Sequence, residues 1–146
     1  MIFSKLTSDA ELILDASLFL AAISPGELHH PHALALYDSV PDSQPFLVPS
    51  LFRLEVLAAL ARRRESTELL DTVDAVVSGP RFHTVTLEAP LLERSVAIAR
   101  AARLRAYDAV YAALALERGA ALLTLDRELC AKLDGAFPEA VLITLM

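Results

Sequence analysis

Apolar positions along this chain group into two kinds of run: short, almost unbroken stretches, and longer ones spaced every three or four residues. The first kind predicts buried strands and the second helices. Glu11 to Leu14 ends at Asp15 and predicts a strand; a helical pattern then runs from Ser17 to about Ile23, where Pro25-Gly26 stops it. A second helix is predicted over about Pro31 to Val40, ending before Pro41. Pro45 to Val48 predicts the second strand, and Pro49-Ser50 opens a helix through Arg64 with Ser50 as its N-cap. Ser66 to Val77 predicts another helix, closed by Gly79-Pro80. Phe82 to Thr86 alternates as a third strand, Ala89 to about Arg103 is a long helix, and Ala106 to Arg118 is a further one that Gly119 ends. Ala120 to Thr124 predicts the fourth strand, Asp126 to Leu133 a short helix, and Val141 to Leu145 the last strand.

Strands alternating with helices, with no hairpin signal between them, predict an α/β fold: a five-stranded parallel sheet covered on both faces. In such a sheet functional residues gather beyond the C-terminal ends of the strands. No repeat or low-complexity linker divides the 146 residues, so one domain is expected. An apolar content of 55% supports a core without disulfides or a structural metal, and makes disorder improbable.

Every apolar stretch meets a charge or proline well before the roughly 18 to 20 residues needed to span a bilayer, so no membrane segment is expected. Asp9, Glu11 and Asp15 interrupt the run that a signal peptide would keep apolar. A cytoplasmic location is therefore expected. The single cysteine, Cys130, agrees with it and excludes an internal disulfide or a multi-cysteine zinc site. Net charge is −6, but it is unevenly spread. Between Arg53 and Arg105 nine arginines face seven acids, while the remainder holds four bases against twelve acids. A phosphate-binding surface beside an acidic site would produce such a split; so would an ordinary solvated surface.

Four acids occupy the predicted functional rim. Asp15 follows the first strand and Asp126 the fourth; Glu55 lies in the opening turns of the helix that leaves the second strand. Asp108 begins a helix that must run antiparallel to the fourth strand, which returns it to the same edge. Capping or a helix dipole could explain Asp15, Asp108 and Asp126 one at a time. Glu55 resists that account. Its neighbours one turn away are Leu51, Phe52, Ala58 and Ala59, so its carboxylate emerges from an apolar helical face and needs a cation. Asp108 is similarly placed among Leu104, Tyr111 and Ala112, with Arg105 its only local counter-charge.

Clustered carboxylates repel and raise one another's pKa unless a cation neutralises them. Oxygen donors without His or Cys favour hard ions such as Mg²⁺ or Mn²⁺. Such a site suits metal-assisted hydrolysis of a phosphodiester.

Leu14-Asp15-Ala16-Ser17, Arg53-Leu54-Glu55-Val56, the run Ala106-Tyr107-Asp108-Ala109-Val110-Tyr111-Ala112-Ala113-Leu114-Ala115, and Leu123-Thr124-Leu125-Asp126-Arg127 resemble, in order and spacing, the motifs of PIN-domain nucleases. The resemblance is nearest to VapC-type toxins of toxin–antitoxin pairs and covers about Leu12 to Leu145. It implies a three-layer α/β/α sandwich, Mg²⁺- or Mn²⁺-dependent endoribonuclease activity, a homodimer and inhibition by a small cognate antitoxin. It further implies that Asp15, Glu55 and Asp108 hold the principal ion, that Asp126 completes the site or serves a second ion, and that Ser17 and Thr124 orient the carboxylates. The departure from the pattern is an extension, Met1 to Ala10, ahead of the first strand.

Other features admit blander readings. His29, His30 and His32 read as a solvated loop rather than a transition-metal site. Arg62, Arg63 and Arg64 end a helix, where they complement its dipole or meet RNA phosphates. Arg62, Arg100, Arg103 and Arg105 are the candidates for substrate contact. Tyr107 is a candidate for base stacking, whereas Tyr111 reads as core. The competing functions are a PIN nuclease of RNA processing, a non-catalytic PIN-like module that binds RNA or protein, and a haloacid-dehalogenase-like phosphatase. The last needs an acid two residues after the first aspartate, where this chain has Ser17.

Overall fold

The computed structural model describes residues 10–144, so the expectations for Met1 to Asp9 and for Leu145 lie outside the described residues. The strands are β1 (Leu12–Leu14), β2 (Phe46–Pro49), β3 (Phe82–Val85), β4 (Ala121–Thr124) and β5 (Val141–Thr144). The helices are α1 (Ala16–Ile23), α2 (His30–Ser39), α3 (Leu51–Arg62), α4 (Thr67–Val77), α5 (Ala89–Ala102), α6 (Ala106–Arg118) and α7 (Arg127–Ala136). All five strands are parallel, in the order β3-β2-β1-β4-β5. Packing pairs α1 with α2 and α3, α3 with α4, and α5 with α6 and α7, the two helical layers of a PIN-like α/β/α sandwich.

The central strands explain their own unbroken apolarity. Leu12, Ile13 and Leu14 are buried, as are Phe46 to Val48 and Ala121 to Leu123, because helices cover both faces of the sheet. The edge strand β3 buries Phe82 but exposes His83 and Thr84. Succession along the chain first moves away from β1 toward β3 and then returns to β4, so the order reverses between β1 and β4. That crevice is where ligands bind in open α/β sheets.

An aromatic cluster anchors the helices bordering the crevice. Phe19 of α1 meets Phe52 of α3 and Phe82 of β3, each with ring centroids 5.6 Å apart, and Tyr37 stacks on Phe46 at 5.4 Å. Contacts of this kind add about 0.5–1.5 kcal/mol each beyond burial. They fix the helices that carry Ser17 and Glu55.

Two local expectations are corrected, and one helix end takes an unusual form. Ser50 does not cap α3: its backbone is already helical (φ −57°, ψ −23°), and its Oγ accepts from Leu87 N–H at 3.3 Å instead. Its own N–H extends the β2–β3 ladder to Val85 O, so the residue finishes the sheet rather than starting the helix. Of the three histidines only His29 lies in the loop, since α2 begins at His30 with Pro31 in its first turn; His29 and His32 are exposed, while His30 Nδ1–H donates to Ala21 O at 2.8 Å. Arg103 lies beyond α5 and closes it in the left-handed region (φ 57°), a role more often filled by glycine.

Candidate active site

Asp15, Glu55, Asp108 and Asp126 all line one open cleft of about 370 Å³ at the C-terminal rim of β1 and β4. Four elements deliver them: the end of β1, the second turn of α3, the first turn of α6 and the end of β4. The parallel pairing of β1 with β4 aligns Leu14 with Leu123, which brings the residues after these strands side by side.

Asp15 is the buried member, 6% exposed. It does not cap α1, and its carboxylate is held from the side instead. Thr124 Oγ1–H donates to Asp15 Oδ2 at 2.6 Å and Ser17 Oγ–H donates to the same oxygen at 2.8 Å. Thr124 also accepts from Asp126 N–H at 3.0 Å, so one buried hydroxyl links the two strand-end aspartates. Burial pushes the Asp15 carboxyl above its ordinary range, and the Thr124 and Ser17 bonds recover only part of the shift. Asp126, by contrast, is a true N-cap, accepting from Leu129 N–H at 2.9 Å.

Glu55 is raised from 4.5 to about 7, chiefly by burial and further by the charges of Asp15 and Asp108. Its Oε1 is buried with no hydrogen-bond partner, and no ion pair among the described residues reaches it. The Tyr111 hydroxyl lies near enough to favour the charged carboxylate, yet forms no hydrogen bond of good geometry. Burial also raises the Asp108 carboxyl, with Asp15 and Asp126 adding to the effect and Arg105 opposing it. Arg105 Nε is 3.5 Å from Asp108 Oδ2, and Arg105 Nη2 is 3.8 Å from Asp126 Oδ2.

Arg62 and Arg105 line the cleft; Arg100 and Arg103 are exposed but do not. Arg63 is committed to Glu27 at 2.8 Å. Tyr107 is 56% exposed on the cleft wall, whereas Tyr111 is 1% exposed in the core. Sequence reasoning missed Leu54, which is 65% exposed on the same wall; its place beside Glu55 at the helix surface was the available signal. It also missed Lys132 and Glu128 of α7, which bound a small pocket beneath Arg105 with Asp108 and Asp126. Their spacing of one helical turn, closed by a 2.8 Å ion pair, was legible but suggested only a surface contact.

Among the described residues no three His, Cys, Asp or Glu side chains are already gathered as a closed metal-ligand set. The chemistry nevertheless fits a hard divalent cation. The donors are carboxylates, the orphaned Glu55 Oε1 faces no protein cation, and three of the acids are held above their ordinary range by burial and mutual repulsion.

A family model, the PIN domain, matches residues 12–134. The fold is similar to that of Mycobacterium tuberculosis VapC20, described as a sarcin-ricin loop cleaving toxin: TM-score 0.72, 19% identity, 83% of this chain and 94% of that chain. A toxin–antitoxin complex from Klebsiella pneumoniae gives a TM-score of 0.66 at 17% identity, over 92% of this chain and 97% of that chain. PAE2754 from Pyrobaculum aerophilum is 27% identical, with a TM-score of 0.61 and 88% of each chain covered. No curated protein matches the sequence. The family model runs from the first residue of β1 into α7 and takes in all four rim acids, and this chain belongs to the PIN domain family.

Proposed function

We propose that this protein is an Mg²⁺- or Mn²⁺-dependent endoribonuclease of the VapC type, the homodimeric toxin of a toxin–antitoxin pair acting on RNA in the cytoplasm. The observation that carries the reading is Glu55: a carboxylate oxygen buried without a partner, its pKa raised to about 7 chiefly by burial and further by the charges of Asp15 and Asp108. Such an arrangement costs stability unless a cation enters it. Asp15, Glu55 and Asp108 would hold the ion, and Asp126 would complete the site.

A divalent ion bound there supplies an acidified water and positive charge for the phosphate oxygens. The chain's own residues provide the rest. Ser17 and Thr124 fix the orientation of the Asp15 carboxylate. Arg62 and Arg105 set positive charge on the cleft for the RNA backbone, and the exposed ring of Tyr107 offers a face for a base.

RNA as substrate and an antitoxin as partner are carried over from the descriptions of VapC20 and the Klebsiella complex. An antitoxin arginine entering the acidic cleft would block it by displacing the ion. Incubation of the purified chain with RNA tests the reading: cleavage with Mg²⁺ or Mn²⁺ and none with EDTA supports it, and no cleavage with either ion overturns it. Growth arrest on expression, relieved by the small protein of the adjacent reading frame, tests the toxin role separately.

A further inference from the structure

Arg105 occupies an unfavourable position for a cation. It is the residue at the N-terminus of α6, where the helix dipole is positive, and its side chain makes no capping bond. Its side chain is 82% exposed and free to point into solvent, yet it folds back over the rim, 3.5 Å from Asp108 and 3.8 Å from Asp126. The two carboxylates therefore outweigh the dipole. Arg105 also borders both the main cleft and the small neighbouring pocket, each of them lined by Asp108 and Asp126 as well.

We propose that Arg105 is a counter-ion built into the acid cluster, and that it exchanges Asp108 and Asp126 for an RNA phosphate when a divalent cation neutralises those acids. The inference rests on the reading of the cleft as a metal-dependent nuclease site. Its physical basis is competition. A divalent ion competes with the guanidinium for the oxygens of these two carboxylates, and once it is in place their pull on Arg105 weakens while the ion and the dipole both oppose it. The freed guanidinium presents a planar fork that suits a phosphate. At 3.5 and 3.8 Å the resident pairs are loose enough to exchange.

The exchange makes metal affinity and RNA affinity move in opposite directions when Arg105 is removed. Calorimetric titration with Mn²⁺ of the wild type, Arg105→Gln, Arg105→Lys and Arg62→Gln reads the first half. Arg105→Gln should bind Mn²⁺ roughly three- to tenfold more tightly, the size two half-exposed ion pairs set. Arg105→Lys should remain near wild type, and so should Arg62→Gln, since Arg62 lines the cleft without pairing with the acids. The second half is read in oligoribonucleotide cleavage: Arg105→Gln should raise KM with kcat little changed. Equal Mn²⁺ affinity in wild type and Arg105→Gln overturns the inference alone, as does an equal gain in Arg62→Gln or an unchanged KM. Absence of Mn²⁺ binding in every variant overturns the metal reading itself, and the inference with it.

Discussion

Thr124 Oγ1–H donates to Asp15 Oδ2 at 2.6 Å, joining the ends of two neighbouring parallel strands that lie 109 positions apart in the chain. The hydroxyl is fully buried and also accepts from Asp126 N–H, so the pair ties one rim acid to the backbone of another. Thr124→Val keeps the shape but removes both bonds. We expect a loss of about 1–3 kcal/mol in stability by chemical denaturation, the usual cost of stranding buried polar partners. RNA cleavage should fall as Asp15 loses its orientation. Unchanged stability together with unchanged cleavage would show that the bond positions nothing.

Asp15→Asn and Asp108→Asn should each abolish cleavage while leaving the fold intact by circular dichroism. Both acids are raised by burial and by neighbouring acids, so removing one charge relieves repulsion. The metal-free variants should melt no lower than the wild type, a gain in stability at the expense of function. Wild-type cleavage by both variants would sink the assignment.

Glu55 gives the metal-free protein a pH dependence. Its carboxyl rises from 4.5 to about 7 on folding, so between these values the folded state binds more protons than the unfolded one. Stability is then greatest below about 4.5 and declines as pH climbs through about 7. Melting temperature in EDTA should drop across that window, Glu55→Gln should flatten the drop, and Mg²⁺ at pH 8 should reverse it. A wild-type curve that is flat or rising in EDTA across the same window argues against an unpaired buried Glu55.

Tyr111→Phe removes a phenol oxygen that is buried without a hydrogen-bond partner. Because nothing is left stranded by its loss, stability should change by less than about 1 kcal/mol, in contrast to Thr124→Val. The phenol does favour the charged form of Glu55, so the midpoint of the Glu55 titration should move upward in the variant, measurable by carboxyl NMR. A large destabilisation would mean that the hydroxyl is bonded.

Much of this protein is determined by sequence alone. Uninterrupted apolarity in Leu12 to Leu14 and Ala121 to Leu123 can be accommodated only where both faces of a strand are covered, and alternation with helical spacing then specifies a parallel α/β sheet. Glu55 was legible for a related reason: an acid flanked one turn away by buried Phe52 and Ala59 emerges from an apolar helical face, where a charge needs a partner. Relations across the chain were not legible. Asp15 and Asp126 both precede helices, and only the pairing of β1 with β4 shows that Asp126 caps its helix while Asp15 is held by Thr124 and Ser17. In sequence Arg100, Arg103 and Arg105, shortly before Asp108, were better candidates for substrate contact than Arg62, whereas the tertiary structure sets Arg62 and Arg105 on the cleft and Arg100 and Arg103 off it. Local pattern reports what a residue's own turn or strand requires. Which hydroxyl meets which carboxylate, and which cation stands over them, depends on the strand order β3-β2-β1-β4-β5, because that order makes β1 and β4 neighbours and sets their ends side by side.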